Sequence, residues 1–97
     1  MRHRADRNQA EIVRALQKVG ATVENTNMVG NGFPDLVVSY FGQWHLIEIK
    51  APKGKLLDTQ KQFHEEHSPA PIHIVRTVDD VIKWSRVIGR AQKWRKP

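Results

Sequence analysis

Asp35, Glu48 and Lys50 are the residues whose types and spacing allow chemistry. Asp35 follows a proline, twelve residues intervene, and Glu48-Ile49-Lys50 follow. The stretch Trp44 to Lys50 reads Trp-His-Leu-Ile-Glu-Ile-Lys. In a strand, successive side chains point to opposite faces, so Trp44, Leu46, Glu48 and Lys50 share one face. His45, Ile47 and Ile49 take the other. Leu36 to Tyr40 is the partner strand, and Phe41-Gly42-Gln43 is short enough for a hairpin. A turn at Phe41-Gly42 puts Asp35 directly opposite Glu48. A turn at Gly42-Gln43 puts it opposite Lys50 and diagonal to Glu48. Either way Asp35 joins the face of Glu48 and Lys50. Opposed Cβ atoms lie ~4.5–5.5 Å apart and diagonal ones ~7–8 Å. Two carboxylates that close repel unless a cation sits between them. A hard divalent cation suits oxygen ligands, and Mg²⁺ is the usual one at phosphate sites. Lys50 then stands beside it, able to orient a water or offset charge on a phosphate. The alternative is an exposed Glu48–Lys50 ion pair, worth little energetically, beside an unrelated aspartate.

These residues need a scaffold. Residues 7–19 read as a helix with Asp6 or Asn8 as cap, Gly20 as stop, and Ile12, Val13, Leu16 and Val19 as its apolar stripe. Residues 21–28 suit an edge strand, and Gly30-Asn31-Gly32 a loop closed by Phe33-Pro34. Residues 36–40 and 44–50 are rich in Val, Ile and aromatics, as strands are. A loop over 51–55 precedes a second helix over 58–67, capped by Asp58 or Thr59 and ended by Pro69 and Pro71. Ile72 to Arg76 is a short strand. Thr77 to Asp80 resembles a capping box that opens a last helix from about Asp79 to Gln92. Its apolar stripe is Val81, Trp84, Ile88 and Ala91; Lys83, Arg86, Arg90 and Lys93 form a basic stripe nearly opposite. The order predicts an α/β chain of the α+β kind, a mixed sheet with helices packed on it.

Length and charge narrow the classes. The 97 residues predict one domain over 1–97, with a core at about 7–82 and a basic helix and tail at about 79–97. Lys and Arg number 16 against 10 Asp and Glu, a net charge of +6. Residues 1–18 carry net +3, residues 19–80 net −3 and residues 81–97 net +6. Basic ends suit a polyanion, while the acidic middle holds carboxylates a pure charge sponge does not need. The absence of cysteine excludes disulfides, thiolate zinc and a Cys nucleophile. It fits a reducing cytoplasm. No apolar run approaches the ~18–20 residues of a membrane span, and no apolar stretch follows the basic Met1-Arg2-His3-Arg4 as a signal peptide requires. His64-Glu65-Glu66-His67 lacks the H-E-x-x-H spacing of a zinc site, so His64 and His67 read as partly buried, hydrogen-bonded histidines.

Pro34-Asp35 with Glu48-Ile49-Lys50 resembles the motif of the PD-(D/E)xK nuclease superfamily. Within it the chain is similar to the small, standalone VRR-NUC domains, often phage-borne and related to Holliday-junction resolvases. Asn8 to Ile12, Met28 to Leu36, Gln60 to His64 and Ile74-Val75-Arg76 support the likeness. It implies a restriction-endonuclease-like core, α-β-β-β-α-β, here with an extra C-terminal helix. It implies a metal-dependent endodeoxyribonuclease using Mg²⁺, with Mn²⁺ able to substitute, on branched DNA such as Holliday junctions. Asp35 and Glu48 would ligate the metal with the Ile49 carbonyl, and Lys50 would assist the attacking water. A first-helix carboxylate often completes such sites, and Glu11 is the candidate. On the helical wheel Glu11 flanks the apolar stripe, with Asn8 and Gln9 nearer the sheet side. The other reading of Glu11 is a solvated first-turn acid favoured by the helix dipole. Gln60 matches a glutamine that related nucleases place beside the metal. Arg76 falls where the family name records a V-R-R run, to contact phosphate or pair with an acid. Lys53, Lys55 and Lys61 lie near the proposed site and are the better candidates for contact with nucleic acid.

Three tryptophans with Phe33, Phe41, Phe63 and Tyr40 are much apolar surface for so short a chain. Trp94 falls away from the apolar stripe of its helix. Together with the two symmetry-related strands of a junction, this predicts a homodimer. The expected setting is the cytoplasm of a bacterial or phage-infected cell. The rival readings are a non-catalytic DNA-binding module and a nuclease acting on single strands or RNA.

Overall fold

Among the described residues the elements run α1 (Arg4–Lys18), β1 (Thr22–Asn25), β2 (Leu36–Tyr40), β3 (Gln43–Ile49), α2 (Asp58–His67), β4 (Ile72–Val75) and α3 (Val78–Trp94). The computed structural model describes the backbone of residues 4–94 and the side chains of residues 8–91. Trp94 and Lys93, singled out in the sequence, have side chains outside that range. The sheet order is β1-β2-β3-β4, mixed as expected: the first two pairings are antiparallel and β3–β4 is parallel. A parallel pair needs a crossover, and α2 supplies it.

The hairpin turn sets the register. Phe41 and Gly42 have φ of 52° and 74°. Positive φ at both central residues gives a turn whose twist matches the strands it joins. Glycine adopts it readily, whereas Phe41 is strained there. Its ring is held edge-on to Tyr40 at 4.7 Å. Tyr40 therefore pairs with Gln43 and Leu36 with Ile47. Of the two turn placements open in the sequence this is the first, and it carries Asp35 opposite Glu48.

The two sheet faces differ. Leu36, Val38, Ile47 and Val75 pack with Ile12 and Leu16 of α1 and Val81 and Trp84 of α3 into a buried core. The opposite face carries Trp44, Leu46 and Glu48, and α2 covers only its Glu48 end. There Gln60 and His64 meet Glu48, and Phe63 meets Phe33 edge-on at 5.4 Å. Trp44, at the other end, is 73% exposed.

The caps confirm one expectation and correct another. The Thr77 hydroxyl accepts from the Asp80 N–H at 3.1 Å, and Asp80 Oδ2 accepts from the N–H groups of Thr77 and Arg76 at 3.2 and 2.9 Å. This is the capping box, with α3 starting at Val78. In α2 neither Asp58 nor Thr59 is the cap. Leu57 holds that position and has no acceptor, so Gln60 Oε1 reaches back to take the Leu57 N–H at 2.8 Å. Ala91, placed in the apolar stripe of the last helix, is exposed.

Candidate active site

Asp35 enters the site from a locked backbone. Thr26 donates its hydroxyl to the Pro34 carbonyl at 2.7 Å and its N–H to the Asp35 carbonyl at 2.8 Å. Asp35 Oδ2 then accepts the Ile49 N–H at 2.8 Å. The Lys50 N–H turns the other way, to the Val75 carbonyl at 3.1 Å. Peptide groups alternate sides along a strand. The Ile49 carbonyl therefore leaves β3 on the Asp35 side. Beyond the last paired residue of β2, the Asp35 side chain takes over the edge of β3.

Glu48 is wholly buried. Its Oε2 accepts from Gln60 Nε2 at 3.0 Å, while its Oε1 has no hydrogen-bond partner. His64 Nε2 lies 3.9 Å from that oxygen and is itself unpartnered. That gap is too long for a hydrogen bond. Burial pushes the Glu48 carboxyl up to about 8; the neighbouring Asp35 carboxyl pushes the same way, and the charge of Lys50 pulls it back. The acid pair is thus short of positive charge. A divalent cation would supply it, and the donors fit: two carboxylates, one with an orphaned buried oxygen, and a main-chain carbonyl. Among the described residues no three His, Cys, Asp or Glu side chains cluster as a metal cage. A site of two carboxylates, completed by water and phosphate, is the Mg²⁺ habit.

Asn8, Gln9, Asp35, Ile49, Lys50, Ala51 and Gln60 line a cavity of about 190 Å³ here. Asn8 Nδ2 donates to the Lys50 carbonyl at 3.0 Å, tying α1 to the end of β3.

The structure brings Asp35, Glu48, Ile49, Lys50 and Gln60 together. It does not bring Glu11 to them. Glu11 is exposed and lines a separate cleft with Arg14, Ala15, Gln17, Lys18 and Val78. Burial of Ile12 and Leu16, with Asn8 held on Lys50, rotates Glu11 off the site. Of the two readings left open, the fold provides the solvated acid, but not in the first turn: α1 starts at Arg4, seven residues before Glu11, beyond the reach of the helix dipole. Lys53, Lys55 and Lys61 are exposed, on the loop after β3 and on α2. Arg76 is half-buried, and its Nη2 donates to the Gly54 carbonyl at 3.0 Å. It braces the lysine loop instead of pairing with an acid.

The histidines also differ from expectation. His64 faces Glu48 without a hydrogen bond, and His67 is exposed against the Phe63 ring at 4.2 Å. Sequence reasoning missed His64, Asn8 and Gln9 as site residues. The signals were present: His64 sits one helical turn after Gln60, and Asn8 and Gln9 lie on the sheet side of α1. In α3, Lys83 pairs with Asp79 at 3.2 Å, both well exposed, while Arg86 and Arg90 are exposed. No helix among the described residues is long and apolar enough to cross a membrane.

The family model of the VRR-NUC domain matches residues 3–72, a stretch that holds Asp35, Glu48, Lys50 and Gln60. Comparison with curated proteins and with solved structures gave no match.

Proposed function

Because this chain belongs to the VRR-NUC domain family, a nuclease family of the PD-(D/E)xK superfamily, we propose that it is a metal-dependent endodeoxyribonuclease for branched DNA. The observation that carries this reading is Glu48: a carboxylate wholly buried opposite Asp35, with one oxygen lacking a partner. Burying such a group without compensation is costly, and a cation compensates it.

Asp35, Glu48 and the Ile49 carbonyl would hold Mg²⁺, with Mn²⁺ as a substitute. The bound cation supplies charge to the phosphate and a more acidic water. Gln60 holds the Glu48 carboxylate in place, and the Ile49 N–H holds Asp35. The Lys50 ammonium offers hydrogen bonds to the attacking water and to oxygens that gain charge as the phosphodiester breaks. Lys53, Lys55 and Lys61 meet the backbone of the arms, which positions DNA without reading its bases. Shape then selects the substrate, as a four-way junction does. Such a junction presents two symmetry-related strands, and one chain offers one metal site, so the working unit is a homodimer.

The test offers linear duplex, single strand, RNA and a four-way junction to the purified protein with Mg²⁺ or Mn²⁺. Cleavage of the junction is expected. Asp35→Ala should abolish it and leave DNA binding intact or improved, and Lys50→Ala should abolish it without loss of metal binding. Binding without cleavage under either metal would reduce the chain to a DNA-binding module. Cleavage confined to RNA or single strands would reassign the substrate.

A further inference from the structure

The loop that leads into Asp35 ties its polar groups to itself and to α1 and leaves an apolar tip in solvent. Besides the two Thr26 bonds, the Val29 N–H donates to the Thr26 carbonyl at 3.1 Å and the Phe33 N–H to the Gly30 carbonyl at 3.0 Å. The Asn27 N–H donates to Asn25 Oδ1 at 2.8 Å. The loop is fastened at both sides of the site. Asn27 Nδ2 donates to Oε1 of Gln9, a wall of the cavity, at 3.1 Å. Gly32 lies so close to the Thr59 backbone of α2 that a Cβ would collide with its carbonyl oxygen. On this frame Met28 is 97% exposed and Val29 56%.

One exposed apolar side chain means nothing by itself. Here two adjacent ones cap a turn tied to the cavity wall, and the same loop ends on Asp35. They form a prong whose position relative to the site is set by hydrogen bonds. Methionine suits an apolar contact with an aromatic face, being unbranched and polarizable. Lysines flank the site, so phosphate contacts have their own donors and the prong is left for something flat and apolar.

We propose that Met28 and Val29 are a wedge that packs against the open base-pair face at a DNA branch point while the neighbouring phosphate lies at Asp35 and Glu48. The proposal rests on the nuclease reading and names the part of the substrate the loop recognises. Architectural proteins insert methionine and aliphatic side chains between base steps at the expense of unstacking them. At a branch, pairing and stacking are already interrupted, so the wedge favours branched over continuous DNA.

The test uses a four-way junction carrying, beside the branch, a fluorescent adenine analogue whose emission rises on unstacking. Ca²⁺ replaces Mg²⁺ so that binding is read apart from cleavage. The wild-type chain should raise the emission. A Met28→Ser, Val29→Ser double variant should lose the rise and bind the junction about tenfold more weakly, with duplex affinity unchanged. Met28→Leu should retain both. The replaced side chains are exposed, so the variant's melting curve should match the parent's. An unchanged rise and affinity in the double variant overturn the wedge, as does wild-type binding without any rise. A chain that never cuts in Mg²⁺ overturns the nuclease reading alone, because the wedge is read in Ca²⁺.

Discussion

At the scale of the residue, Glu48 ties stability to pH and, under the proposed function, to the metal it would hold. Its carboxyl is ordinarily near 4.5 and is raised to about 8 in the fold. Between those values the folded chain keeps a proton that the unfolded chain has released. Its contribution to stability is therefore full below 4.5 and is lost as pH rises toward 8. Below 6.5 a second effect opposes it. His45 and His73, lowered by burial, resist protonation in the fold, so acid favours unfolding there. Above pH 6.5 that opposing effect fades as the unfolded imidazoles lose their protons, and the Glu48 effect dominates up to pH 8. Without metal, the melting temperature should fall across it. Glu48→Gln should flatten that fall and melt higher at pH 8. Mg²⁺ must displace the proton, so it should stabilise the wild-type chain more at pH 8 than at 6.5, and leave Glu48→Gln unmoved. Thermal melts followed by circular dichroism check all of this; parallel slopes in the two proteins would remove Glu48 as the titrating group.

Among the elements, α2 is held by its edges. None of its residues is buried. Gln60 serves it twice, closing the first turn with Oε1 and gripping Glu48 with Nε2. The close pass of Gly32 against Thr59 and the Phe33–Phe63 contact seat it on the sheet. Gly32 has φ of +81° and no room for a Cβ, whereas Gly30 has φ of +77° and nothing within 4 Å. Gly30→Ala should cost only the left-handed backbone, about 1–2 kcal/mol. Gly32→Ala should cost more and push α2 off Glu48, lowering the cleavage rate at least ~10-fold through misplacement of the site. Urea titrations and single-turnover rates on both variants give the comparison. Equal effects would mean that the loop does not position α2.

At the scale of the whole molecule, the open sheet face bears on assembly. Trp44 is 73% exposed and Ile74 36%, on the side α2 leaves partly bare. Two-fold pairing of such patches is the commonest way to cover them. In the proposed dimer, light scattering at micromolar concentration should give a mass near twice 11.2 kDa. Trp44→Ser should shift it toward the single chain if this face is the interface. A mass of 11.2 kDa at every concentration sinks the dimer, and an unshifted Trp44→Ser dimer moves the interface elsewhere.

The site's central pair was legible from residue order alone. Strand side chains repeat every two residues, and both turns allowed by Phe41-Gly42-Gln43 put Asp35 on the face of Glu48. The span of α2 was legible too, because Pro69 and Pro71 bound its periodicity. What remained was decided by how elements rotate and cross. The phase of α1 about its own axis follows from burial of Ile12 and Leu16 and from the Asn8–Lys50 bond; that phase carried Gln9 to the site and Glu11 away. His64 shares a helix face with Gln60 in any sequence reading, but only the crossover of α2 sets it against Glu48. Arg76 can donate to any oxygen within reach, and the loop after β3 offered the Gly54 carbonyl. Local periodicity determines which side chains share a face. Which faces then meet depends on packing between segments far apart in the chain, and that is a property of the tertiary structure alone.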